Sequence, residues 1–347
     1  MSPMPRALET ARLLLRPFTG EDRPLVHSIS SDPDTTRYLY FWGRPGSTPA
    51  SDTDRFLRYA LDSWAQKTVR SREYCVILRE TGEAIGDASV EICDESTAEI
   101  GWILLPAFRG RGYASEAGRA MMDFGFECCG VQRVIAHCDT RNAPSARVMA
   151  RLGMHLERIE KEGRPAKTEG APKGDEATWG ISRVDWAWGK YRGLSCRFQG
   201  FLPLPDLADG DIRLLCHQKA PGDPEKQWVP SYHFHIVRDG ERLGGIDLRI
   251  GYTDGLFYGG QIGYNIDEAH RGRGYAGRAC RLLRPLMRLH GMKTAVITND
   301  VRNAASRRVC EKLGAAYWCH IKLPEDNDMR LSSGMDEVNV YAFPAED

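Results

Sequence analysis

The sequence predicts an α+β fold, a mixed α/β sheet, laid down as two tandem copies. Three observations carry that prediction. The first is a repeat: Arg109-Gly110-Arg111-Gly112-Tyr113-Ala114 returns letter for letter as Arg271-Gly272-Arg273-Gly274-Tyr275-Ala276. Around it, residues 100–114 match 262–276 at nine of fifteen positions, and residues 141–153 match 302–314 at eight of thirteen. The register slips by one residue between the two blocks, and a period this long exceeds the roughly 20 to 50 residues of solenoids and propellers. The second is length, since 347 residues suffice for two domains that each bury a core. The third is element order. β-rich runs stand before a central strand, turn and helix, and more β follows, which describes a mixed sheet and not a regular βαβ series.

Residues 11–18 (ARLLLRPF) read as a first strand, ended by a proline and a Thr-Gly pair. Helical stretches over 21–31 and 51–64 flank an aromatic run, Tyr38-Leu39-Tyr40-Phe41-Trp42, which is either a core plug or the wall of an acceptor pocket. Residues 74–79 and 84–93 form a hairpin turning at Thr81-Gly82-Glu83, and 98–105 is the strand that feeds the repeated turn. After the turn, Ala117, Met121, Phe124 and Cys128 fall at helical spacing. A strand over 131–138 follows, then a helix over 143–152 with Pro144 in its first turn, where a missing amide costs nothing. A strand over 155–159, a polar loop over 161–176 and a strand over 177–186 close the first copy.

These readings divide the chain into a domain at 1–190, a Gly- and Pro-bearing link at 191–210, and a second, shortened domain at 211–347. Between first strand and hairpin the first copy spends about 55 residues and the second about 17, so the aromatic run and both early helices have no counterpart. Pro285 is expected to break the helix that follows the second turn near Arg284.

Composition narrows the function. With 47 basic and 47 acidic residues, no whole-molecule field exists to hold nucleic acid or an anionic membrane. The ten cysteines are scattered with no CxxC pair, which predicts free thiols and no metal. No apolar run suits a signal peptide or a membrane span, so the expected location is cytoplasmic.

An anion must therefore be bound locally, and the repeated turn offers the means. A strand that ends in Arg-Gly-x-Gly and opens directly into a helix presents backbone amides at the positive end of the helix dipole, and glycine lets that backbone come close. The arginines add charge for a diphosphate. There is no GxxxxGK[ST] P-loop, and Gly272-x-Gly274-x-x-Gly277 has Ser115 in place of its last glycine in the first copy, which disfavours a dinucleotide fingerprint.

The element Arg109-x-x-Gly112-x-Ala114, with Arg271-x-x-Gly274-x-Ala276, resembles the coenzyme A pyrophosphate loop of the GNAT superfamily of N-acetyltransferases. Asn142-x-x-Ser145 with Leu152-Gly153-Met154, and Asn303-x-x-Ser306 with Leu313-Gly314-Ala315, are similar to its NxxS…LG segment. The first copy looks like the Rim-type branch, which acetylates ribosomal-protein N-termini.

The resemblance implies a GNAT-like fold and acetyl transfer from acetyl-CoA to a primary amine, of a peptide N-terminus or a small molecule. Arg109, Gly110, Arg111, Gly112, Tyr113 and Ala114 would then cradle the diphosphate, as would Arg271, Gly272, Arg273, Gly274, Tyr275 and Ala276. The backbones of Ile103-Leu104 and Asn265-Ile266 would pair with the pantetheine arm, with Asn142 and Asn303 beside it, and Tyr38, Tyr40, Phe41 and Trp42 would face the acceptor. Glu99 stands where the family's carboxylate base is expected, but Gln261 stands there in the second copy and accepts no proton. The tyrosine acid of many relatives is replaced by Met149 and Cys310, which leaves Ser145 and Ser306 as candidate thiolate partners or helix caps. His137 and His235 read as sheet-face residues. A non-catalytic acyl-CoA sensor is the rival reading, and the chain is expected as monomer or homodimer.

Overall fold

The computed structural model describes residues 6–39, 41–44, 46–65, 70–164 and 173–346. It falls into two compact units, residues 1–183 and 184–347.

The first unit is built on one eight-stranded sheet. Strands β1 (Leu8–Glu9) and β2 (Leu13–Pro17) precede helices α1 (Arg23–Ser31), α2 (Pro33–Thr36) and α3 (Pro49–Ala65). Strands β3 (Ser71–Leu78), β4 (Ala84–Ile92) and β5 (Thr97–Leu104) lead into helix α4 (Tyr113–Asp123), and β6 (Arg133–Asp139) leads into α5 (Ala143–Arg151). The hairpin of β7 (His155–Arg164) and β8 (Gly174–Ser182) ends the unit, and the sheet order is β1-β2-β3-β4-β5-β6-β8-β7.

One junction in this sheet shapes everything that follows. β5 and β6 run parallel and pair over only three residues, Thr97 with Arg133, Ala98 with Val134 and Glu99 with Ile135. Beyond Glu99 the ladder between them stops, so the edge of β5 from Ile100 to Leu104 is left open on that side while β4 pairs the other. An unpaired run of backbone donors and acceptors is a ready template for an added strand.

Helix α6 (Arg183–Arg192) leads into the second unit. Of the polar loop read over 161–176, residues 165–172 lie outside the described residues, and its two ends are corrected to strand, since β7 runs on to Arg164 and β8 starts at Gly174; the strand read over 177–186 ends at Ser182, and the chain turns helical at Arg183. Alternating Trp186, Trp188 and the β-rich ISRVDW spelling suggested a strand, but burial of Trp186, Ala187 and Tyr191 follows helical spacing. Residues expected to form a link also pack as structure: Cys196, Phe198, Phe201 and Leu204 lie against the second core, and Leu207 is part of it.

The second unit contains β9 (Ala208–Asp209), β10 (Ile212–Ala220), β11 (Ser231–Arg238) and β12 (Glu241–Arg249), then α7 (Asp254–Gly259) and β13 (Ile262–Ile266). Helices α8 (Tyr275–Leu282) and α9 (Arg284–Leu289) follow; the break between them falls at Leu283, beside the expected place near Arg284, with Pro285 in the first turn of α9. Strand β14 (Thr294–Asp300), α10 (Ala304–Lys312), β15 (Ala316–Lys322), α11 (Asp328–Ser333) and β16 (Glu337–Pro344) complete the chain. Here the sheet is divided outright, into β13-β12-β11-β10-β9 and β14-β16-β15. No helix stands between β10 and β11, in keeping with the short front half of this copy.

Candidate active site

The turn after β5 has the geometry its glycines imply. Gly112 is the N-cap of α4 with φ of 84°, in the left-handed region that an L side chain enters only at a cost. The first intrahelical bond is made by Glu116 N to Gly112 O, so the amides of Tyr113, Ala114 and Ser115 are unpaired within the helix and point toward its N-terminus. The turn is pinned from two sides. Arg109 Nε donates to Leu104 O at 3.0 Å and its Nη2 donates to Thr35 Oγ1, while Arg12 donates to Arg111 O at 3.0 Å and pairs with Glu116 at 2.6 Å.

A cavity of about 560 Å³ opens over this turn, and Trp102, Ile103 and Leu104 from the open edge of β5 line it with Gly110, Gly112, Tyr113, Ala114, Asn142 and Ser145. The site thus gathers most of the first copy's expected cofactor residues. Arg109 is partly committed to holding the loop, and Arg111 is exposed and does not line the cavity.

Three features were not read from the sequence. Arg147 and Arg151, one turn apart on α5, line the cavity and add positive charge. Their spacing was a usable signal, because the second copy has Arg308 and Lys312 at the same places. Ser115 also lines the cavity, and its buried Oγ has no hydrogen-bond partner among the described residues. The second copy has Gly277 there.

Asn142 and Asn303 act as helix caps, their Oδ1 atoms accepting from Ser145 N at 3.3 Å and Ser306 N at 3.0 Å. The two serines then differ. Ser306 Oγ is engaged with Tyr264 Oη at 2.8 Å, whereas Trp102 occupies the matching position in the first copy and has no hydroxyl to offer Ser145.

Of the aromatic run, Tyr38 lines the cavity beside Leu39. Trp42 does not: it is 2 % exposed and packs on Phe56 at 5.0 Å inside the core formed by Phe18, Leu25, Val26 and Ile29. Phe41 packs against the same core, its ring 5.8 Å from Phe56. The reading of Phe41 and Trp42 as acceptor wall is therefore corrected to core plug, and Tyr40 lies outside the described residues.

Glu99 sits where the β5–β6 ladder ends, its side chain 41 % exposed. Burial pushes its carboxyl up to about 7, repulsion from Glu91 and Glu176 adds to this, and Arg164 opposes it. Glu91 is its direct cross-strand partner on β4. His137 Nε2 stands 3.8 Å from Glu99 Oε2, and Thr178 Oγ1 meets His137 Nδ1 at 3.2 Å. A carboxyl poised near neutrality at the end of an open strand edge suits general base chemistry.

The corresponding place in the second unit is closed. Gln261 is fully buried; its Oε1 accepts from Val296 N at 2.7 Å, and its Nε2 donates to Tyr191 Oη and Gly251 O, each at 3.1 Å. Every hydrogen-bonding capacity of the amide except one lone pair is used, tying the residue before β13 to β14, to α6 and to the loop after β12. Around it Trp188 stacks on Phe257 at 3.8 Å and Tyr191 meets Phe257 at 5.1 Å. The turn itself keeps its form: Gly274 has φ of 80°, and Arg271 Nε donates to Ile266 O as Arg109 does to Leu104 O.

Comparison with known proteins decides the family, because the acetyltransferase (GNAT) domain matches residues 12–155 and again 208–316. The chain belongs to the GNAT acetyltransferase family. This GNAT chain is 32 % identical over 180 residues to the uncharacterized N-acetyltransferase YnaD of Bacillus subtilis (strain 168), covering 52 % of this chain and 98 % of that protein. It is 27 % identical over 200 residues to the FsC-acetyl coenzyme A-N(2)-transacetylase of Aspergillus fumigatus, covering 52 % of this chain and 77 % of the relative. Among solved structures, a GNAT-family acetyltransferase from Bacillus anthracis is 32 % identical, covers 51 % of this chain and 98 % of its own, and has a TM-score of 0.43. The protein is an N-acetyltransferase, duplicated within one chain. Among the described residues, no cluster of three or more His, Cys, Asp or Glu is placed to hold a metal ion, and no helix is long and apolar enough to cross a membrane.

Proposed function

We propose that the first unit transfers an acetyl group from acetyl-CoA to a primary amine, of a peptide N-terminus or a small molecule, with Glu99 as general base. The observation that carries this reading is the succession of one raised carboxyl, one open strand edge and one unpaired helix N-terminus along β5 and the turn that follows it. The residues present fit the coenzyme. The amides of Tyr113, Ala114 and Ser115, the Ser115 hydroxyl, and Arg147 and Arg151 would hold its phosphates, and the edge of Trp102, Ile103 and Leu104 would pair with its pantetheine arm. When bound it supplies the thioester. The name of the Aspergillus relative, which contains acetyl coenzyme A, accords with this donor.

An alkyl ammonium has a pKa near about 10, so the acceptor must lose a proton before it attacks. Glu99 takes that proton, directly or through one water. Glu91 and Glu176 keep the surroundings of Glu99 anionic, which favours approach of a cationic amine. Ser145, which lines the cavity, would donate a hydrogen bond toward the departing thiolate.

The second unit retains the cradle without the base. Gln261 is locked in place, the space around it is filled by aromatic side chains, and Ser306 is occupied by Tyr264. We read it as a unit that holds coenzyme, or supports the fold, without acetylating. The test is thiol release from acetyl-CoA against a panel of amines, N-terminal peptides and aminoglycosides, run beside calorimetric titration of coenzyme A. Turnover with at least one acceptor class is expected. Coenzyme binding without turnover on any acceptor would favour the sensor reading for the whole chain.

A further inference from the structure

Glu99 lies on a sheet face whose neighbours are set by register. Glu99 pairs with Ile135 in the parallel ladder, so His137, two residues on, shares its face; His137 pairs with Thr178 in the antiparallel ladder to β8, so Thr178 shares it too. The three side chains form a line across β5, β6 and β8, with Glu99 Oε2 to His137 Nε2 at 3.8 Å and His137 Nδ1 to Thr178 Oγ1 at 3.2 Å.

We propose that His137 is the positioning residue of the Glu99 carboxylate and that Thr178 fixes the tautomer in which it does so. This inference rests on the reading of Glu99 as base. With the Thr178 hydroxyl as donor to Nδ1, the proton of the neutral imidazole stands on Nε2, facing Glu99. At 3.8 Å the donor is short of a direct hydrogen bond, and a small side-chain rotation or one bridging water closes the gap when the cleft fills. Oε2 is then held, and Oε1 is left to take the amine proton.

The imidazole stays neutral for this task. Burial lowers its pKa, Arg164, Arg158 and Arg133 lower it further, and Glu176 opposes them. Glu99 is faced by Glu91 from β4, His137 from β6, Glu176 from β8, Arg164 from β7 and Cys93 beyond β4. Of these, His137 is the neutral donor that can favour the ionised carboxylate without adding charge to a site that must admit an ammonium.

The experiment follows Glu99 directly, by 13C carboxyl NMR titration assigned with Glu99→Gln, alongside the pH profile of kcat/KM for the amine. In His137→Phe the Glu99 titration is expected to move up by about half a pH unit or more, because a hydrogen bond to the charged form is lost. The acid limb of kcat/KM should move with it while KM for acetyl-CoA stays within about twofold of the wild type. His137→Gln, which restores an N–H donor, should bring both back. Thr178→Val, nearly isosteric, should shift them less in the same direction and carries the test if His137→Phe does not fold.

An unmoved Glu99 titration in His137→Phe and Thr178→Val, or failure of glutamine to restore it, overturns the inference. The titration needs no turnover, so the two readings separate. If it moves while Glu99→Gln keeps full activity, His137 still positions Glu99 but Glu99 is not the base; if Glu99→Gln is inactive and the titration stays put, the base stands and the positioning role falls.

Discussion

At the scale of single residues, the two copies differ most at one atom. Glu99 and Gln261 occupy equivalent positions, and the sequence alone showed that only one of them can accept a proton. What it did not show is that Gln261 has become a structural bridge, because a hydrogen-bond partner such as Val296 N is set by tertiary placement and not by neighbours in the chain. Gln261→Glu is therefore expected to destabilise the second unit by about 3 kcal/mol, since a carboxylate cannot donate to Tyr191 Oη and Gly251 O, and to add no turnover. Chemical denaturation checks the first and thiol release the second. In the first unit, a carboxyl raised to about 7 must be ionised to act, so activity is lost as pH falls through that value. Log kcat/KM for the amine is expected to rise with slope one below about pH 7, where Glu99 must lose its proton while the amine binds as its ammonium, and to level off from there toward the amine's own pKa near about 10. In Glu99→Gln the break near 7 should vanish; its persistence would assign the limb to another group.

At the scale of elements, the strand, turn and helix were legible because their signals are local. The glycines at 110 and 112 demand a left-handed turn, and the apolar spacing after them demands a helix. Gly112→Ala is expected to weaken coenzyme binding by about tenfold, on the order of 1.4 kcal/mol, through strain at positive φ in the cradle. Titration calorimetry reads this directly. The aromatic run was not resolved from the sequence, since a buried plug and a pocket wall share the same composition; only packing against Phe18 and Phe56 distinguishes them. Trp42→Ala should accordingly cost about 3–5 kcal/mol of stability and leave both substrate KM values unchanged in the folded enzyme. A raised amine KM with unchanged stability would return Trp42 to the pocket. The segment after Ser182 was misread as strand to Trp186 because β-branched and aromatic residues serve either a strand or a buried helix face, and burial at 186, 187 and 191 settles it as helix.

At the scale of the whole molecule, duplication was the clearest message in the sequence, since two blocks in register cannot be confused with local propensity. The unequal front halves were equally legible from residue counts. The distribution of chemistry between the copies was only half legible. It depends on whether a strand junction is open, as beyond Glu99, or bridged, as at Gln261, and no motif spells that difference. Under the proposed function, one base, in the first unit, serves the chain's acetyl transfer. The most direct test is steady-state thiol release from acetyl-CoA by Glu99→Gln with a saturating amine, beside calorimetric binding of acetyl-CoA to the same variant. At least a tenfold fall in kcat is expected, about 1.4 kcal/mol or more in the barrier, with acetyl-CoA affinity within about twofold of the wild type. Undiminished turnover in that variant would contradict it.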